Sequence, residues 1–175
     1  MTKSLIILVA DDDENDLTMT LAALACRGAK PEVIAVNDGA EAMDYLHRRG
    51  GFQSRAPGNP DVVLLDLNMP RLDGWEVLRQ IKADAKLKTI PVVVFTSSKR
   101  ESDVRECYEL GANAYVVKPI DYGQFTDAIL DIQTFWTERN QPLPVPLADW
   151  GLCPMPSPTA RGDNRDRTGI CGGTQ

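Results

Sequence analysis

The sequence contains no long hydrophobic run. No uninterrupted apolar stretch is longer than the one at residues 5–10, whereas a membrane-spanning helix needs about 20 apolar residues. At the N-terminus, no basic stretch precedes a long apolar one, so we predict no signal peptide. We therefore expect a cytoplasmic protein that makes no contact with a membrane.

Positive charge is also scarce. The chain has 19 basic and 25 acidic residues, which gives a formal net charge of −6. Such a chain repels a phosphate backbone unless its few cations cluster, and the sequence shows no stripe of lysines and arginines. Direct binding of nucleic acid is therefore not expected.

Cysteine and histidine are too few and too scattered for a metal site built from sulfur and imidazole. Cys26, Cys107, Cys153 and Cys171 show no C-x-x-C spacing, so neither a zinc site nor a disulfide framework is predicted. The single histidine, His47, lies beside two arginines near the end of a predicted helix, where cations complement the helix dipole. Without a nearby partner, it is not expected to donate a phosphoryl group or to bind a metal.

Strand and helix patterns alternate five times along the chain. Continuous runs of Val, Ile and Leu are typical of parallel strands that are buried on both faces, and apolar residues at helical spacing follow each run. Five strand–helix units predict an α/β fold with a parallel sheet between helices. The predicted strands are residues 4–10, 32–36, 62–65, 92–96 and 114–118, and the predicted helices are residues 14–27, 40–49, 75–85, 100–110 and 122–137.

The last part of the chain differs in composition. Six of the 12 prolines lie from residue 142 onward, among Gly, Arg and Asp and few apolar residues. Such a segment buries too little apolar surface to offset the entropy lost on ordering. We predict a folded domain over residues 1–140 and a mostly disordered tail over residues 141–175.

Four of the predicted strands end in polar residues. Asp11 and Asp12 follow the first strand, Asp66 follows the third, Thr96 closes the fourth and Lys118 closes the fifth. In open parallel sheets, ligands bind at the carboxyl ends of the strands. Carboxylates crowded at one edge need a cation, and oxygen ligands suit Mg²⁺; a lysine beside them can pair with the acids and with a phosphoryl oxygen. The strand ends therefore predict a site for a divalent cation and a phosphoryl group.

Taken alone, most of these signals have a simpler structural explanation. The acids after the first strand are favourable before any helix N-terminus, Thr96 begins a helix-capping sequence, and Lys118 could simply end a strand. Asp66 is harder to explain in this way, because an acid after four buried aliphatic residues needs a partner. The joint occurrence of all four signals in this order favours the phosphate and cation site.

These motifs resemble the receiver domain of bacterial two-component response regulators. The resemblance covers about residues 4–138 and implies a flavodoxin-like (βα)5 fold, a doubly wound parallel sheet with strand order 2-1-3-4-5. The polar loop before the third strand, the turn at residues 68–70 and the closing aromatic pair at residues 135–136 are similar to those of stand-alone regulators that serve bacterial phytochrome kinases. The matching motifs are Leu8-Val9-Ala10-Asp11-Asp12, Leu64-Leu65-Asp66-Leu67-Asn68-Met69-Pro70 with Asp73-Gly74, Phe95-Thr96-Ser97 and Tyr115-Val116-Val117-Lys118-Pro119.

The resemblance also implies the residues that accept the phosphoryl group and hold the metal. Asp66 is the implied phosphoacceptor and a ligand of Mg²⁺. Asp12 is expected to bind Mg²⁺ directly and Asp11 through water, and the backbone carbonyl of Asn68 completes the protein ligands.

Three further residues have implied roles in stabilising and sensing the phosphoryl group. Lys118 is expected to stabilise the group, and the peptide bond between Lys118 and Pro119 is expected to be cis. Thr96 is expected to hydrogen-bond the phosphoryl group after transfer. Tyr115 is the aromatic residue expected to turn inward when Thr96 moves.

The function implied by the resemblance is that of a single-domain response regulator. Such a module catalyses only its own phosphorylation and dephosphorylation and is not a metabolic enzyme. The expected phosphodonor is a sensor histidine kinase, and the narrower similarity points to a bacterial phytochrome. The expected output is binding to a downstream protein or relay to a histidine phosphotransfer partner. The resemblance also allows a homodimer through the fourth helix, fifth strand and fifth helix.

Two alternative functions would use the same fold. An aspartyl-phosphate phosphatase usually has a second acid two residues after the nucleophile, but this chain has Asn68 there, which cannot act as a general acid. A pseudo-receiver that binds partners without phosphorylation would be expected to lack Asp66 or Lys118, and both are present.

Overall fold

The computed structural model describes residues 5–26 and 31–141, in which five strands alternate with five helices. The predicted tail, apart from residue 141, lies outside the described residues, as do Cys153 and Cys171. None of the helices in the described ranges is both long and apolar enough to cross a membrane. The strands are β1 (Ile6–Ala10), β2 (Glu32–Val36), β3 (Val62–Leu65), β4 (Val92–Thr96) and β5 (Ala114–Val117), and the helices are α1 (Glu14–Ala25), α2 (Gly39–His47), α3 (Gly74–Ala83), α4 (Glu101–Glu109) and α5 (Tyr122–Thr134).

The five strands form one parallel sheet in the order β2-β1-β3-β4-β5, which confirms the predicted fold. The strand register pairs Ala10 with both Val36 and Leu65, the last residues of β2 and β3. At the other side of the sheet, Thr96 pairs with Val117, the last residue of β5. The carboxyl ends of the strands therefore meet at one edge, so the polar residues that follow them are brought together.

Side chains that alternate along each strand form two separate cores, one on each face of the sheet. In β1, Ile7 and Val9 pack with residues of α1 and α5, whereas Leu8 and Ala10 pack with residues of α2, α3 and α4. All four side chains are buried. Burial on both faces explains why β1 is a continuous apolar run and not an alternating one.

Aspartate side chains cap the N-termini of four of the five helices. Asp13, Asp38, Asp73 and Asp121 each accept hydrogen bonds from backbone N–H groups in the first turn of the helix that follows. An aspartate cap accepts hydrogen bonds from N–H groups that have no partner within the helix, and its negative charge interacts favourably with the positive end of the helix dipole. The caps explain why these helices begin within one residue of the predicted positions.

The segment between α2 and β3 is anchored by the guanidinium group of Arg55. Its Nε donates to the carbonyl oxygen of Tyr45 at 2.8 Å, and its two terminal nitrogens donate to the carbonyl oxygens of Leu46, Ala56 and Gly58 at 2.7–3.3 Å. The same group lies 4.2 Å from the centroid of the Tyr45 ring. Polar contacts to the main chain, together with this cation–π contact, therefore hold the long loop in place.

The N-terminus of α3 lies directly against the backbone that carries Asp66. A Cβ atom added to Gly74 would be 2.1 Å from the carbonyl oxygen of Asp66 and 2.7 Å from the Cα of Leu67. The backbone N–H of Gly74 also donates to the carbonyl oxygen of Leu67 at 2.9 Å. Only glycine allows this close approach, so Gly74 helps to fix the backbone position of Asp66.

Gly74→Ala is expected to lower the free energy of unfolding by about 2 kcal/mol, because the new methyl group would overlap main-chain atoms that cannot move freely. Urea unfolding followed by circular dichroism would measure this change. The matched control is Gly51→Ala, since an added Cβ at Gly51 meets no atom within 4 Å. Equal stabilities of the two variants would contradict the packing argument.

Candidate functional site

The ammonium group of Lys118 lies at the centre of the polar sheet edge. Its Nζ donates to Oδ2 of Asp11 at 2.7 Å, to Oδ2 of Asp16 at 2.8 Å and to Oδ2 of Asp66 at 2.8 Å. The side chains of Lys118, Asp11 and Asp66 are only 6%, 4% and 8% exposed. Three contacts use all three N–H groups of a lysine, so the hydrogen-bonding capacity of Lys118 is filled.

Backbone hydrogen bonds extend the sheet to the residues of the site. The N–H of Asp66 donates to the carbonyl oxygen of Ala10 at 2.9 Å, and the N–H of Asp11 donates to the carbonyl oxygen of Val36 at 3.2 Å. The N–H of Lys118 likewise donates to the carbonyl oxygen of Thr96 at 2.7 Å. Asp11, Asp66 and Lys118 are therefore positioned by the sheet and not by flexible loops.

The carboxylate of Asp66 is oriented by donors on both of its oxygens. Its Oδ1 accepts hydrogen bonds from the backbone N–H groups of Leu67 at 2.6 Å and Asn68 at 3.3 Å, while Oδ2 faces Lys118. Donors at both oxygens stabilise negative charge in a low-dielectric environment. Asp66 is thus held as an oriented carboxylate, as a nucleophile at this position requires.

Burial and hydrogen bonds within the cluster shift the pKa values of Lys118 and Asp11. Burial opposes the charged form of Lys118, but its hydrogen bonds to Asp11, Asp16 and Asp66 outweigh this effect and raise the pKa of Lys118 above its ordinary value. Burial also raises the pKa of Asp11 from 3.8 to about 6, despite the contact with Lys118. The acids outnumber the single lysine, so the site favours an added positive charge.

Three of the acids are arranged so that they could hold a cation. Asp11, Asp12 and Asp66 each offer a carboxylate oxygen, and these oxygens lie within 4.8 Å of one another. Asp11 and Asp66 are buried, whereas Asp12 is exposed. A set of oxygen ligands with an open side fits Mg²⁺, which keeps several waters and binds through one or two carboxylates. The backbone N–H of Asn68, the predicted fourth ligand residue, already contacts Asp66.

Thr96 ends β4, where its carbonyl oxygen accepts a hydrogen bond from the N–H of Lys118, and Tyr115 lies on the neighbouring strand β5. The Thr96 side chain is completely buried, and its hydroxyl has no hydrogen-bond partner within the described residues. Tyr115 is half-buried against the core, and its hydroxyl donates to the carbonyl oxygen of Ser98 at 3.1 Å. A buried hydroxyl without a partner is costly, so Thr96 is suited to a ligand that brings an acceptor. The expected movement of Tyr115 stays a prediction.

The peptide bond between Lys118 and Pro119 differs from the prediction. No peptide bond among the described residues is cis, so the prediction of a cis bond at Pro119 is wrong. The trans form is the lower-energy form of a bond that precedes proline. Lys118 makes its three contacts with the acids from the trans form.

Asp16 is the site residue that our sequence analysis missed. It lies in the first turn of α1, and side chains in a helix point back toward the N-terminus. In this structure, that direction brings the Asp16 carboxylate to Lys118. The available signal was an acid in the first turn of the predicted helix, three residues after Asp13, to which we assigned no role.

Comparison with known proteins is consistent with this arrangement of residues. A sequence model of the response regulator receiver domain matches residues 7–130. The response regulator Rcp1 of Synechocystis sp. is 37% identical over 133 residues, which cover 76% of this chain and 89% of Rcp1.

Solved structures show the same relationship. The crystal structure of the phosphorylated cyanobacterial phytochrome response regulator RcpA has a TM-score of 0.76 and 37% identity, and the match covers 80% of this chain and 99% of RcpA. The bacteriophytochrome response regulator RtBRR has a TM-score of 0.66 and 49% identity over 83% of this chain and 88% of RtBRR. The Mn²⁺-bound form of Rcp1 has a TM-score of 0.74 and 35% identity, and the match covers 79% of this chain and 99% of the Rcp1 chain.

Proposed function

Because this chain belongs to the response regulator receiver domain family, we propose that it accepts a phosphoryl group on Asp66 from a sensor histidine kinase in a Mg²⁺-dependent reaction. The observation that carries this proposal is the buried contact between Lys118 and Asp66, 2.8 Å long, beside a cluster of carboxylate oxygens. The relatives RcpA and RtBRR support the narrower proposal that the kinase is a bacterial phytochrome, since RcpA is a cyanobacterial phytochrome response regulator and RtBRR a bacteriophytochrome response regulator.

The proposed reaction transfers a phosphoryl group from nitrogen to oxygen. A carboxylate oxygen of Asp66 attacks phosphorus, so that an O–P bond forms while the N–P bond of the phosphohistidine breaks and the imidazole keeps the electron pair. Asp11, Asp12 and Asp66 would hold Mg²⁺, which supplies positive charge against the phosphoryl oxygens when it is bound. Lys118 adds a further positive charge at the reacting carboxylate. Positioning and charge stabilisation account for most of the catalysis in such transfers.

Phosphorylation would then change the environment of the switch residues. The charge at Asp66 rises in magnitude from −1 to about −2. The unpartnered hydroxyl of Thr96 would donate to a phosphoryl oxygen and leave its present position, and Tyr115 would respond to the space that opens. The resulting change in the surface of α4, β5 and α5 would alter binding to a partner protein or a second copy of the chain, or the phosphoryl group would be relayed to a histidine phosphotransfer partner.

Acetyl phosphate and Mg²⁺ provide a direct test that needs no kinase. The wild-type protein is expected to gain one phosphoryl group, as measured by intact-protein mass spectrometry, whereas Asp66→Asn is expected to gain none. Chelation of the divalent cation should also prevent labelling. The control is Asp127→Asn, which removes an acid from the exposed side of α5. Equal labelling of Asp66→Asn and the wild type would refute the assignment of Asp66.

A further inference from the structure

The third acidic partner of Lys118 has no role in the function proposed so far. Asp16 is not among the residues that could hold the metal, and its side chain is 24% exposed. It nevertheless contacts Nζ of Lys118 at 2.8 Å, the same distance as Asp66 and 0.1 Å longer than the 2.7 Å of Asp11. Asp16 is therefore placed to act on the lysine without touching the cation.

The contacts of Lys118 leave no donor free for an incoming group. An ammonium group has three N–H donors, and the three carboxylates occupy all of them. An oxygen of a phosphoryl group on Asp66 can bind Lys118 only if one of these carboxylates gives up its hydrogen bond. The resting site must therefore lose one contact whenever Lys118 stabilises the phosphoryl group.

Burial decides which carboxylate can be released at the lowest cost. The Asp11 side chain is 4% exposed and that of Asp66 is 8% exposed, so bulk water could not hydrate either carboxylate if it lost its contact with Lys118. Asp16 is 24% exposed and lies on the first turn of α1, outside the sheet. Water can hydrate its carboxylate after release, so Asp16 is the partner that exchanges most readily.

We propose that Asp16 is a positioning residue that holds Lys118 in the unphosphorylated site and is displaced from it by a phosphoryl oxygen. The displacement opposes phosphoryl binding, because the contact between Asp16 and Lys118 is lost when the group arrives. Asp16 thereby sets how strongly the site takes up a phosphoryl group. This inference rests on the function proposed above, because it requires a phosphoryl group at Asp66.

The test compares the binding of beryllium fluoride, an analogue of the phosphoryl group, to the full-length wild type, Asp16→Ala and Glu14→Ala at saturating Mg²⁺. Glu14→Ala is the matched control, since it removes the same charge from the same helical turn at an exposed position. Asp16→Ala is expected to bind beryllium fluoride about threefold to tenfold more tightly than Glu14→Ala. Asp16→Asn, which removes the charge but keeps the shape, should show an increase in the same direction.

A second measurement separates displacement from a general change in electrostatics. Titration with Mg²⁺ alone should give the same affinity for Asp16→Ala and Glu14→Ala, because the displaced contact matters only when the anion is present. The proposal for Asp16 is overturned if Asp16→Ala and Glu14→Ala bind beryllium fluoride equally. It is also overturned if their affinities for Mg²⁺ alone differ by the same factor as their affinities for beryllium fluoride. In both cases the role of Asp66 stands. If the wild type binds no beryllium fluoride, both proposals fail.

Discussion

Lys118→Met is expected to lower the free energy of unfolding by about 3–5 kcal/mol at pH 8 without divalent cations, the usual cost of removing one partner from a buried ion pair. The carboxylates of Asp11 and Asp66 would lose their only cationic partner within the described residues while they remain buried. Mg²⁺ should restore part of the lost stability, because it binds the folded acid cluster and not the unfolded chain.

Urea unfolding of the wild type and Lys118→Met, each with and without Mg²⁺, would measure both effects. Lys99→Met serves as the control, because Lys99 is an exposed lysine in the loop after β4. The argument requires that Lys118→Met loses far more stability than Lys99→Met. A loss below about 1 kcal/mol, the range of exposed ion pairs, would show that the cluster does not depend on Lys118 for its charge balance.

Asp11→Asn is expected to have the opposite effect and to stabilise the metal-free protein above pH 7. The pKa of Asp11 rises from 3.8 to about 6 on folding because the side chain is buried, so the native state binds this proton more tightly than the unfolded chain does. The stability of the wild type should therefore fall as the pH rises from about 4 to 7. A shift of about two pKa units corresponds to at most about 3 kcal/mol.

Unfolding experiments at pH 5 and pH 7.5 without divalent cations would test this expectation. The advantage of Asp11→Asn over the wild type should be larger at pH 7.5, where the wild-type carboxyl is ionised. Asp12→Asn removes the same charge from an exposed side chain and should show a smaller advantage. A stability difference between Asp11→Asn and the wild type that is independent of pH would contradict the role of burial at Asp11.

The sequence was most informative where the sheet itself determines position. The bounds of β2, β3 and β4 agree with the prediction. For β3 and β4 the reason is that buried parallel strands are continuous apolar runs that end at a polar residue. The order of the strands was enough to predict that Asp11, Asp66 and Lys118 lie close together at one edge of the sheet. Helix ends were less predictable, and α5 passes into a π-helical turn at Phe135–Arg139 that no sequence pattern indicated.

Features that depend on atomic distances between separate elements could not be predicted. The contact of Asp16 with Lys118 joins α1 to the end of β5 across 102 residues. The hydroxyl of Thr96 could be predicted to lie at the site, but not to lack a partner there. Gly74 was visible as part of a motif shared with receiver domains, whereas its contact with the carbonyl oxygen of Asp66 depends on the packing of α3.

The anchoring of the segment between α2 and β3 by Arg55 has a consequence for how this protein tolerates mutation. All four acceptors of the guanidinium group are main-chain carbonyls, which every amino acid supplies. A substitution at the exposed Ala56 would keep its acceptor, whereas replacement of Arg55 would release the whole segment. Exposed residues of this loop can therefore change during evolution at little cost in stability. The contacts of Lys118, by contrast, require carboxylate side chains at Asp11, Asp16 and Asp66, so substitutions at these positions would remove them.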